Sequence, residues 1–500
     1  MHYVLQTSDS AFSLMFDEST SVSTETCLIM YIRIVYANEI CNFFLDLVEL
    51  KSQSGESIAD AIVNVLTTYG FTEEILQSRL IGVCTDGASN LQGAVNGALA
   101  HMKAKLKTDF MVFHCMAHKL ELAISDVIKL VTEIGHLQSF TDALYAHFSR
   151  SPNNQNQLKS IAVDLHVHLL KVCRTFDIGW VASSYRSVHA IWESYQALVN
   201  HFQFCSTDTT RNARERAKCT GLHQKLIKWF FVSELAIVHD ALEVLRSLSL
   251  FLQKRRASVL TAEAEIQNTV KTLKGMKDGD GVTTLELTEE FEHSSTFHGI
   301  TLTGPSEGDK QRFASFKAKF FQALVDNLSA RFSGTEAILQ KVRVLQKANW
   351  PDAEDKRILF GDREVIELMK MVKLDSSHVS SVVRQFRMIK DGYAIEAEEN
   401  EFKELNRRLT ALPISSAECE RGFSCMNATH TPLRNALDIL TLRELMFVKL
   451  NGPPLPHFNA QHFAEQWIKD GRHSATDKPS GRRPTSDTEL QHHQKLFVSG

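Results

Sequence analysis

Three apolar runs of strand length follow one another near the start of the chain, joined by short polar turns. They are AFSLMFD, CLIMYIRIVYA and ICNFFLDLVEL, all within residues 11–50. The second run is rich in β-branched and aromatic residues, and the pattern predicts three antiparallel strands. An amphipathic helix over 57–69, a buried strand over 79–86, a turn and helix, and a fifth strand over 110–114 follow. This alternation predicts an α/β fold.

The composition is that of a globular protein with a sizeable core. The chain has 500 residues, of which 43% are hydrophobic, and this length allows about two to four domains. The formal net charge of −4 argues against nucleic-acid binding through bulk positive charge, so any DNA contact must be local. Nine cysteines without a Cys-x-x-Cys pair indicate a reduced, intracellular protein. No apolar run has the length of a membrane span and no signal sequence is evident, which predicts the nucleus or the cytoplasm.

The middle of the chain, residues 132–400, is almost wholly helical in pattern. Its clearest amphipathic segments are 226–253 and 312–332. Two polar interruptions, 206–220 and 275–308, predict loops because they are rich in charged or in Gly, Asp, Ser and Thr residues.

Two aspartates stand where predicted strands end. Asp17 lies in FDEST after the first strand, and Asp86 lies in CTDGASN after the fourth. An aspartate followed by small polar residues commonly opens a turn, and that alternative stays open for each residue taken alone. Glu18 is adjacent to Asp17, so a shift of one residue in register would exchange the two side chains.

A further pair of acidic residues lies in ALPISSAECERGFSCMNATHTPLRNALDILTLRELMFVKL, residues 411–450. Pro413 suits the first turn of a helix, because that turn needs no N–H from it, and the serines that follow can cap the helix. Glu418 and Glu420 then lie near the positive end of the helix dipole.

The sequence from Glu420 and Arg421 through GFS to Arg434, followed by an apolar helix, resembles the C-terminal dimerisation region of hAT-type DNA transposases. CTDGASN matches a second motif of that family. The resemblance implies a ribonuclease-H-like mixed sheet, interrupted by a large all-α insertion domain and followed by a C-terminal helical dimerisation segment. The implied domains are 1–131 for the first part of the catalytic core, 132–400 for the helical insertion, 401–452 for the C-terminal part of the core with the dimerisation region, and 453–500 for an extension with a flexible tail.

In hAT transposases three carboxylates bind metal ions on the ribonuclease-H-like sheet. By resemblance, the catalytic residues and metal ligands of this chain are Asp17, Asp86 and Glu420. Such carboxylates repel one another unless cations lie between them, and their hard oxygen atoms suit Mg²⁺ or Mn²⁺. Two ions about 4 Å apart support in-line phosphodiester displacement by water or a 3′-hydroxyl. The implied reaction is cleavage at transposon ends and joining to target DNA.

Three further residues are candidates for DNA binding or for support of the site. Arg421 directly follows Glu420. His118 ends a Cys-x-x-His motif that follows strand five in hAT transposases. The alternative for His118 is a residue at a plain strand-to-helix junction without a functional role. Cys115 and His118 alone do not make a structural zinc site, which needs four ligands, and no zinc is expected in this chain. Trp180 resembles the tryptophan of the family's Arg-Trp motif, which stacks near the flanking base. Gly179 replaces the arginine, and a core aromatic is the alternative for Trp180.

Two classes of function follow. The first is a DNA-binding, dimerising transposase derivative that retains metal-dependent cleavage and strand transfer. The second is a non-catalytic, domesticated nuclear protein that dimerises through residues 411–450 and binds other proteins. The acidic triad favours the first. The second is favoured by Gly179 and by the weakly acidic charge balance. It is also favoured by a first strand that begins about ten residues from Met1, which leaves no space for the DNA-binding zinc finger of the family. Loss of that finger implies loss of sequence-specific recognition. No membrane association is expected in either class, and we expect the retained carboxylates to reflect recent descent more than preserved transposition.

Overall fold

The computed structural model describes residues 10–20, 25–173, 180–332, 337–392, 400–434, 436–453 and 455–469. The chain forms two compact units. We call residues 1–113 with 366–500 the sheet unit, and residues 114–365 the helical unit. The helical unit is therefore an insertion within the sheet unit.

A five-stranded sheet forms the centre of the sheet unit. Its strands are β1 (Phe12–Thr20), β2 (Thr26–Tyr36), β3 (Glu39–Glu49), β4 (Leu80–Thr85) and β5 (Met111–His114), in the order β3-β2-β1-β4-β5. β1 pairs antiparallel with β2, and β2 pairs antiparallel with β3, as the three apolar runs predict. β4 lies parallel to β1 on its other side. The sheet is therefore mixed, and the predicted α/β fold is confirmed.

Side chains alternate across this sheet because successive residues of a strand point to opposite faces. On one face Phe12, Leu14 and Phe16 form a core with the helices that follow β3 and β4. These helices are α1 (Gly55–Thr68), α2 (Glu73–Arg79), α3 (Ser89–Gln92) and α4 (Ala98–Leu106). Asp17 directly follows Phe16, so its side chain points to the opposite face of the sheet.

The helical unit contains a long central helix, with other helices packed around it. Its helices are α5 (Met116–Leu130), α6 (Thr132–Ser149), α7 (Pro152–Asp164), α8 (Trp180–Glu193), α9 (Tyr195–Thr207), α10 (Ala213–Leu226), α11 (Trp229–Leu252), α12 (Val259–Asp278), α13 (Val282–Ser294), α14 (Glu307–Phe332), α15 (Ala337–Val342) and α16 (Glu354–Arg357). A two-stranded ribbon, β6 (Thr296–Phe297) with β7 (Ile300–Thr301), follows α13. The central helix α11 packs against α8, α12, α13 and α14.

Both predicted loops of this unit contain helices, so the loop predictions for 206–220 and 275–308 are wrong in part. The side chain of Asn212 accepts a hydrogen bond from the backbone N–H of Glu215, which starts α10 within the first stretch. In the second stretch, Asp240 of α11 accepts from the backbone N–H groups of Thr283 and Thr284 at 2.8 and 3.0 Å and caps α13. A cap supplied by another helix leaves no signal in the local sequence.

The chain returns to the sheet unit within α17 (Asp362–Met371). The helices after it are α18 (Val379–Lys390), α19 (Glu401–Thr410), α20 (Ala417–Thr429), α21 (Ile439–Asn451) and α22 (Ala460–Lys469). α20 starts at Ala417 rather than near Pro413, because the Ser415 hydroxyl accepts from the Ala417 N–H. The predicted tail from Gly471, like Gly179, lies outside the described residues. No helix in the described part of the chain combines the length and the apolar character needed to cross a lipid bilayer.

The division into units differs from the predicted boundaries after residues 131 and 400. α5 packs on α14 inside the helical unit, where Arg331 contacts Asp126. In the sheet unit, the Lys373 ammonium donates to the Gln77 carbonyl and to the Thr108 hydroxyl, at 2.8 and 2.9 Å. Tertiary contacts of this kind, rather than the ends of helices, determine where each unit begins.

Candidate carboxylate site

The parallel pairing of β1 and β4 brings two predicted site residues to the same end of the sheet. Met15 of β1 is the partner of Cys84 in β4, and this is the last paired position of the two strands. Asp17 and Asp86 each lie two residues beyond it. Both aspartates are half-buried.

The turn after β4 has its conformation fixed by Asp86 and Gly87. The Asp86 Oδ1 atom accepts a hydrogen bond from the Ala88 N–H at 2.9 Å. Gly87 has a φ of +86°, in the left-handed region that favours glycine over residues with a Cβ. The Asp-Gly pair therefore does form a turn, as its local sequence predicts, and the turn holds the Asp86 carboxylate at the end of the strand.

Glu18 adds a third carboxylate to this end of the sheet. Its Oε1 atom accepts from the Asn90 side-chain amide at 2.9 Å. Burial raises the pKa of Glu18, the hydrogen bond from Asn90 opposes that rise, and the negative charge of Asp86 adds to it. The two carboxylates are thus close enough to repel each other electrostatically. Sequence reasoning considered Glu18 only as an alternative to Asp17, and it missed Asn90.

The helix that carries Glu420 packs directly on β1 and β2. Gly422 is the point of closest approach: a Cβ atom there would overlap the Cδ1 of Ile29 and lie 2.6 Å from the Oη of Tyr31. Ile29 is the cross-strand partner of Asp17. Gly422 therefore allows α20 to lie against the sheet beside the position of Asp17, two residues after Glu420 along the helix.

The two glutamates of α20 have different surroundings. Glu418 is only 5% exposed, and its Oε1 atom accepts from the Arg421 guanidinium at 2.7 Å and from the Asn42 amide at 3.4 Å. Glu420 is exposed to solvent. Glu418 thus joins the helix to β3, whereas Glu420 is accessible to a solute. Arg421, a predicted DNA-binding or supporting residue, forms an ion pair within its own helix.

A buried arginine supports the same region of the sheet. Arg33 of β2 is 4% exposed, and its guanidinium donates to the Thr410 carbonyl at 3.2 Å through Nη2. Burial lowers the pKa of Arg33 to about 10, and the nearby charges of Cys84 and Glu418 oppose that decrease. The guanidinium therefore stays protonated at neutral pH. Its contact with the end of α19 fixes the chain just before α20 begins.

The other predicted residues belong to the helical unit. His118 is exposed on the first turn of α5, with its ring centroid 5.6 Å from that of His114. Trp180 starts α8 and lines a small apolar cavity with Leu137 and Val188, among others. This cavity is the environment of a core aromatic, the alternative considered for Trp180.

Comparison with known families identifies the sheet. Residues 3–97 match the family model DUF4371, described as ZMYM1/FAM200, RNase-like domain. This part of the chain is therefore a transposase-derived, ribonuclease-H-like domain. The match covers β1 to β4 and includes Asp17 and Asp86. Together with the observed topology it shows a mixed, RNase-like sheet at the amino-terminal end, followed by a large helical region.

A second group of potential metal ligands lies in the helical unit, where sequence reasoning found none. Ligand atoms of His147, Cys205 and Cys219 lie within 4.8 Å of one another. Each residue stands on a different helix, and the two cysteines are fourteen residues apart in sequence. His201 and Cys205, four residues apart, are a closely spaced pair that the expectation of no zinc left out of account.

Proposed function

We propose that this chain is a hAT-transposase derivative whose sheet unit binds Mg²⁺ or Mn²⁺ through Asp17, Asp86 and Glu420 and cleaves DNA phosphodiester bonds. The observation that carries this proposal is the parallel register of β1 and β4, since both aspartates follow the same last paired position. Parallel strands present their carboxyl ends at one edge of a sheet, where ligand sites of α/β folds commonly lie. DNA as the substrate implies a nuclear location.

The close packing of α20 supports the inclusion of Glu420. Gly422 contacts Ile29, which is directly opposite Asp17 in the antiparallel pair, and such partners lie only about 4.5 to 5.5 Å apart. Glu420 precedes Gly422 by two residues, which is a rise of about 3 Å along the helix and a rotation of about 200° about its axis, so its side chain leaves α20 on the solvent side. The proposal requires this long side chain to bend around the helix toward the cation held by the strand ends.

The donor set fits a hard divalent cation. All its members are carboxylates, and the oxygen ligands of Asp and Glu suit Mg²⁺ and Mn²⁺. The repulsion between Glu18 and Asp86 is what a bound cation would relieve. When bound, two such ions stabilise the attacking and leaving oxygens of an in-line phosphodiester displacement.

The protein's own residues hold this site in place. The turn at Gly87 fixes Asp86, and the Asn90 amide orients Glu18. The hydrogen bond of Glu418 with Asn42 and that of Arg33 with the Thr410 carbonyl anchor to the sheet the segment that precedes Glu420. We propose that these contacts keep Asp86 and the helix that carries Glu420 oriented before metal binds, which lowers the entropic cost of binding.

Calorimetric titration of the full chain with Mn²⁺ tests the metal site. We expect saturable binding to wild type and its loss in Asp86→Ala. Asp60→Ala is the matched control, because Asp60 is an exposed carboxylate of the same unit that pairs with Lys105 on the helical layer. Equal, negligible heats for wild type and Asp86→Ala would exclude the site.

Nicking of supercoiled plasmid DNA tests catalysis separately, because metal binding does not prove turnover. We expect Mn²⁺-dependent nicking by wild type and by Asp60→Ala, and none by Asp86→Ala or Glu420→Ala. Metal binding without nicking would favour the second class of function, a domesticated protein that has lost activity.

One observation favours dimerisation in either class. α21 is apolar on two sides: Leu442 and Met446 are buried, whereas Leu440, Leu445 and Val448 are 56%, 39% and 54% exposed. A helix that is apolar all round is normally covered on all sides. We propose that a second copy of this chain covers the exposed side, within the segment 411–450.

The buried side of α21 is firmly attached to β3. Arg443 lies 3.6 Å from the Asp46 carboxylate, and the rings of Phe447 and Phe44 have centroids 6.5 Å apart. The orientation of the helix is therefore fixed within one subunit, and the apolar side chains on its outer side form a defined surface.

Light scattering coupled to gel filtration measures the oligomeric state. We expect a dimer for wild type, and a shift toward monomer when Leu440→Asp and Val448→Asp are combined. Lys449→Asp is the control, since it adds an aspartate at a neighbouring polar position of the same helix. A wild-type chain that is monomeric at every accessible concentration would contradict the proposal.

A further inference from the structure

Four soft ligands meet in the helical unit. His147 is on α6, His201 and Cys205 are on α9, and Cys219 is on α10. We call these residues the His/Cys cluster. His201 and Cys205 are four residues apart on one helix and therefore project from the same side of it.

Some distances within the cluster are those of a zinc coordination shell, and others are longer. The Nε2 atoms of His147 and His201 are 3.0 Å apart, and the Cys205 Sγ lies 3.5 Å from the His201 Nε2. The ligand atoms of His147, Cys205 and Cys219 all lie within 4.8 Å of one another. In a tetrahedral site with Zn–N near 2.0 Å and Zn–S near 2.3 Å, neighbouring ligand atoms are roughly 3.3 to 3.8 Å apart. Small movements of side chains would close the shell.

The cluster is sealed from solvent, as structural zinc sites are. His201, Cys205 and Cys219 are fully buried, and His147 is 9% exposed. This enclosed environment favours the neutral form of both imidazoles, which has a lone pair to offer a metal ion. Four protein ligands leave no position open for substrate, which distinguishes such a site from a catalytic one.

Charge balance is compatible with a zinc ion in this buried cluster. Two thiolates and one Zn²⁺ give a buried complex without net charge, which reduces the cost of removing the ion from water. Arg211 lies nearby: it donates to the Gln157 Oε1 atom at 2.9 Å, and the Cys205 thiol donates to the same oxygen at 3.3 Å. Arg211 and Lys218 place positive charge near Cys219, and local positive charge stabilises thiolates that bind metal.

We propose that His147, His201, Cys205 and Cys219 form a structural zinc site that ties α6, α9 and α10 together. The site would hold the α9–α10 connection, residues 208–212 of the polar stretch 206–220, against a helix more than fifty residues away in sequence. It is independent of the carboxylate site, because every member belongs to the helical unit.

Elemental analysis of the full chain, purified under reducing conditions without added metal, tests this site. We expect one zinc ion per chain in wild type, and loss of that zinc when Cys205→Ser and Cys219→Ser are combined. The double variant Cys41→Ser with Cys173→Ser is the matched control: both are half-buried thiols outside the cluster, and it should retain zinc. Equal zinc content in all three proteins, or none in wild type, would overturn the proposal.

Cobalt substitution tests the site in the wild-type chain and so does not depend on whether a variant folds. We expect thiolate-to-Co²⁺ charge-transfer absorption, together with the intense visible bands of tetrahedral coordination. Octahedral Co²⁺ without charge transfer would refute the site, and so would a Cys205–Cys219 disulfide in protein whose free thiols were blocked at lysis. The result is separable from the carboxylate proposal, because Asp86→Ala should keep the cobalt spectrum unchanged.

Discussion

The two candidate metal sites differ in every respect that determines which metal they bind. In the sheet unit the ligands are carboxylates, half-buried at strand ends or exposed on a helix, and they belong to distant parts of the chain. In the helical unit they are imidazoles and thiols, fully or almost fully buried between helices. Hard oxygen ligands favour Mg²⁺ and Mn²⁺, whereas nitrogen and sulfur ligands favour zinc.

The difference in exposure implies a difference in role. A site that faces solvent can exchange its ion and admit a phosphodiester, whereas a site closed by four protein ligands can only hold helices together. The transposase ancestry of residues 3–97 concerns the first site. The second lies beyond that match, in the helical insertion, and it would contribute to folding rather than to chemistry.

The largest predicted effect is that a substitution in either site removes the metal of that site and leaves the other site intact. Asp86→Ala should weaken Mn²⁺ binding by at least about 100-fold, because a charged ligand is lost, and leave bound zinc unchanged. Cys219→Ser should release zinc and leave Mn²⁺ affinity unchanged. Calorimetry with Mn²⁺ and elemental analysis for zinc, on the same preparations, measure both. If either substitution abolished both metals, the units would not be independent and the comparison would fail.

A large effect is also expected when a side chain is added at Gly422, where α20 contacts the sheet. Gly422→Val should destabilise the sheet unit by about 3 kcal/mol, because the new side chain overlaps Ile29 and forces the helix away from β1. Hydrogen exchange by mass spectrometry should show faster exchange in β1 and β2 than in wild type.

The control for this change is Gly135→Val, on the surface of α6, where a Cβ meets no atom within 4 Å. It should leave exchange in the sheet unit unchanged. Protection of β1 and β2 that is equal in Gly422→Val and wild type would mean that α20 is not held by this contact.

A smaller effect is expected at the cap of α13 in the helical unit. Asp240→Ala should cost about 2 kcal/mol, because the N–H groups of Thr283 and Thr284 lose their acceptor while still buried. Exchange should accelerate at the start of α13 and remain unchanged in the sheet. Asp240→Asn, which keeps one acceptor oxygen, should give an intermediate rate; a rate equal to that of the alanine variant would show that capping is not the cause.

The smallest predicted effect concerns pH. Burial raises the pKa of Asp46 to about 6, while Arg443 and the Leu47 N–H oppose that rise. The folded state therefore holds this proton more tightly than the unfolded state, and the resulting stability is present below about pH 4 and is lost as pH rises through 6. Asp46→Asn removes this loss, so its stability relative to wild type should increase by about 1 to 2 kcal/mol between pH 4 and pH 7.

Thermal melting at several pH values measures that difference. Asp60→Asn serves as the control, because Asp60 is exposed and pairs with Lys105 at the surface. A constant difference between Asp46→Asn and wild type across this range would show that Asp46 ionises normally in the folded chain.

Local sequence was sufficient for the strands and for the position of Asp86 directly after β4, whereas Asp17, predicted to follow the first strand, lies within β1, which continues to Thr20. The three apolar runs and the strand before Asp86 are each contiguous, and the turn at Gly87 follows from its own two residues. What sequence could not show depends on residues distant in the chain. Burial and the contacts with Asn42 and Arg421 distinguish Glu418 from Glu420, although both glutamates have similar neighbours in sequence.

The helical unit was harder to predict for the same reason. The α13 helix depends on Asp240, which comes from the central helix, and the His/Cys cluster joins three helices, with only His201 and Cys205 closely spaced in sequence. Resemblance to hAT transposases gave the order of the sheet and the carboxylate hypothesis, whereas this unit offered only two short motifs, at His118 and at Trp180.

Asn451, at the end of α21, forms hydrogen bonds with the outer strand β3 of the sheet. Its side chain accepts from the Phe44 N–H at 2.9 Å and donates to the Phe44 carbonyl at 2.7 Å, as a neighbouring strand would. β3 is the outermost strand on its side of the sheet, and unpaired outer strands recruit strands of other molecules. A chain shortened to end before Asn451 would leave Phe44 open to such pairing, and we expect it to form aggregates.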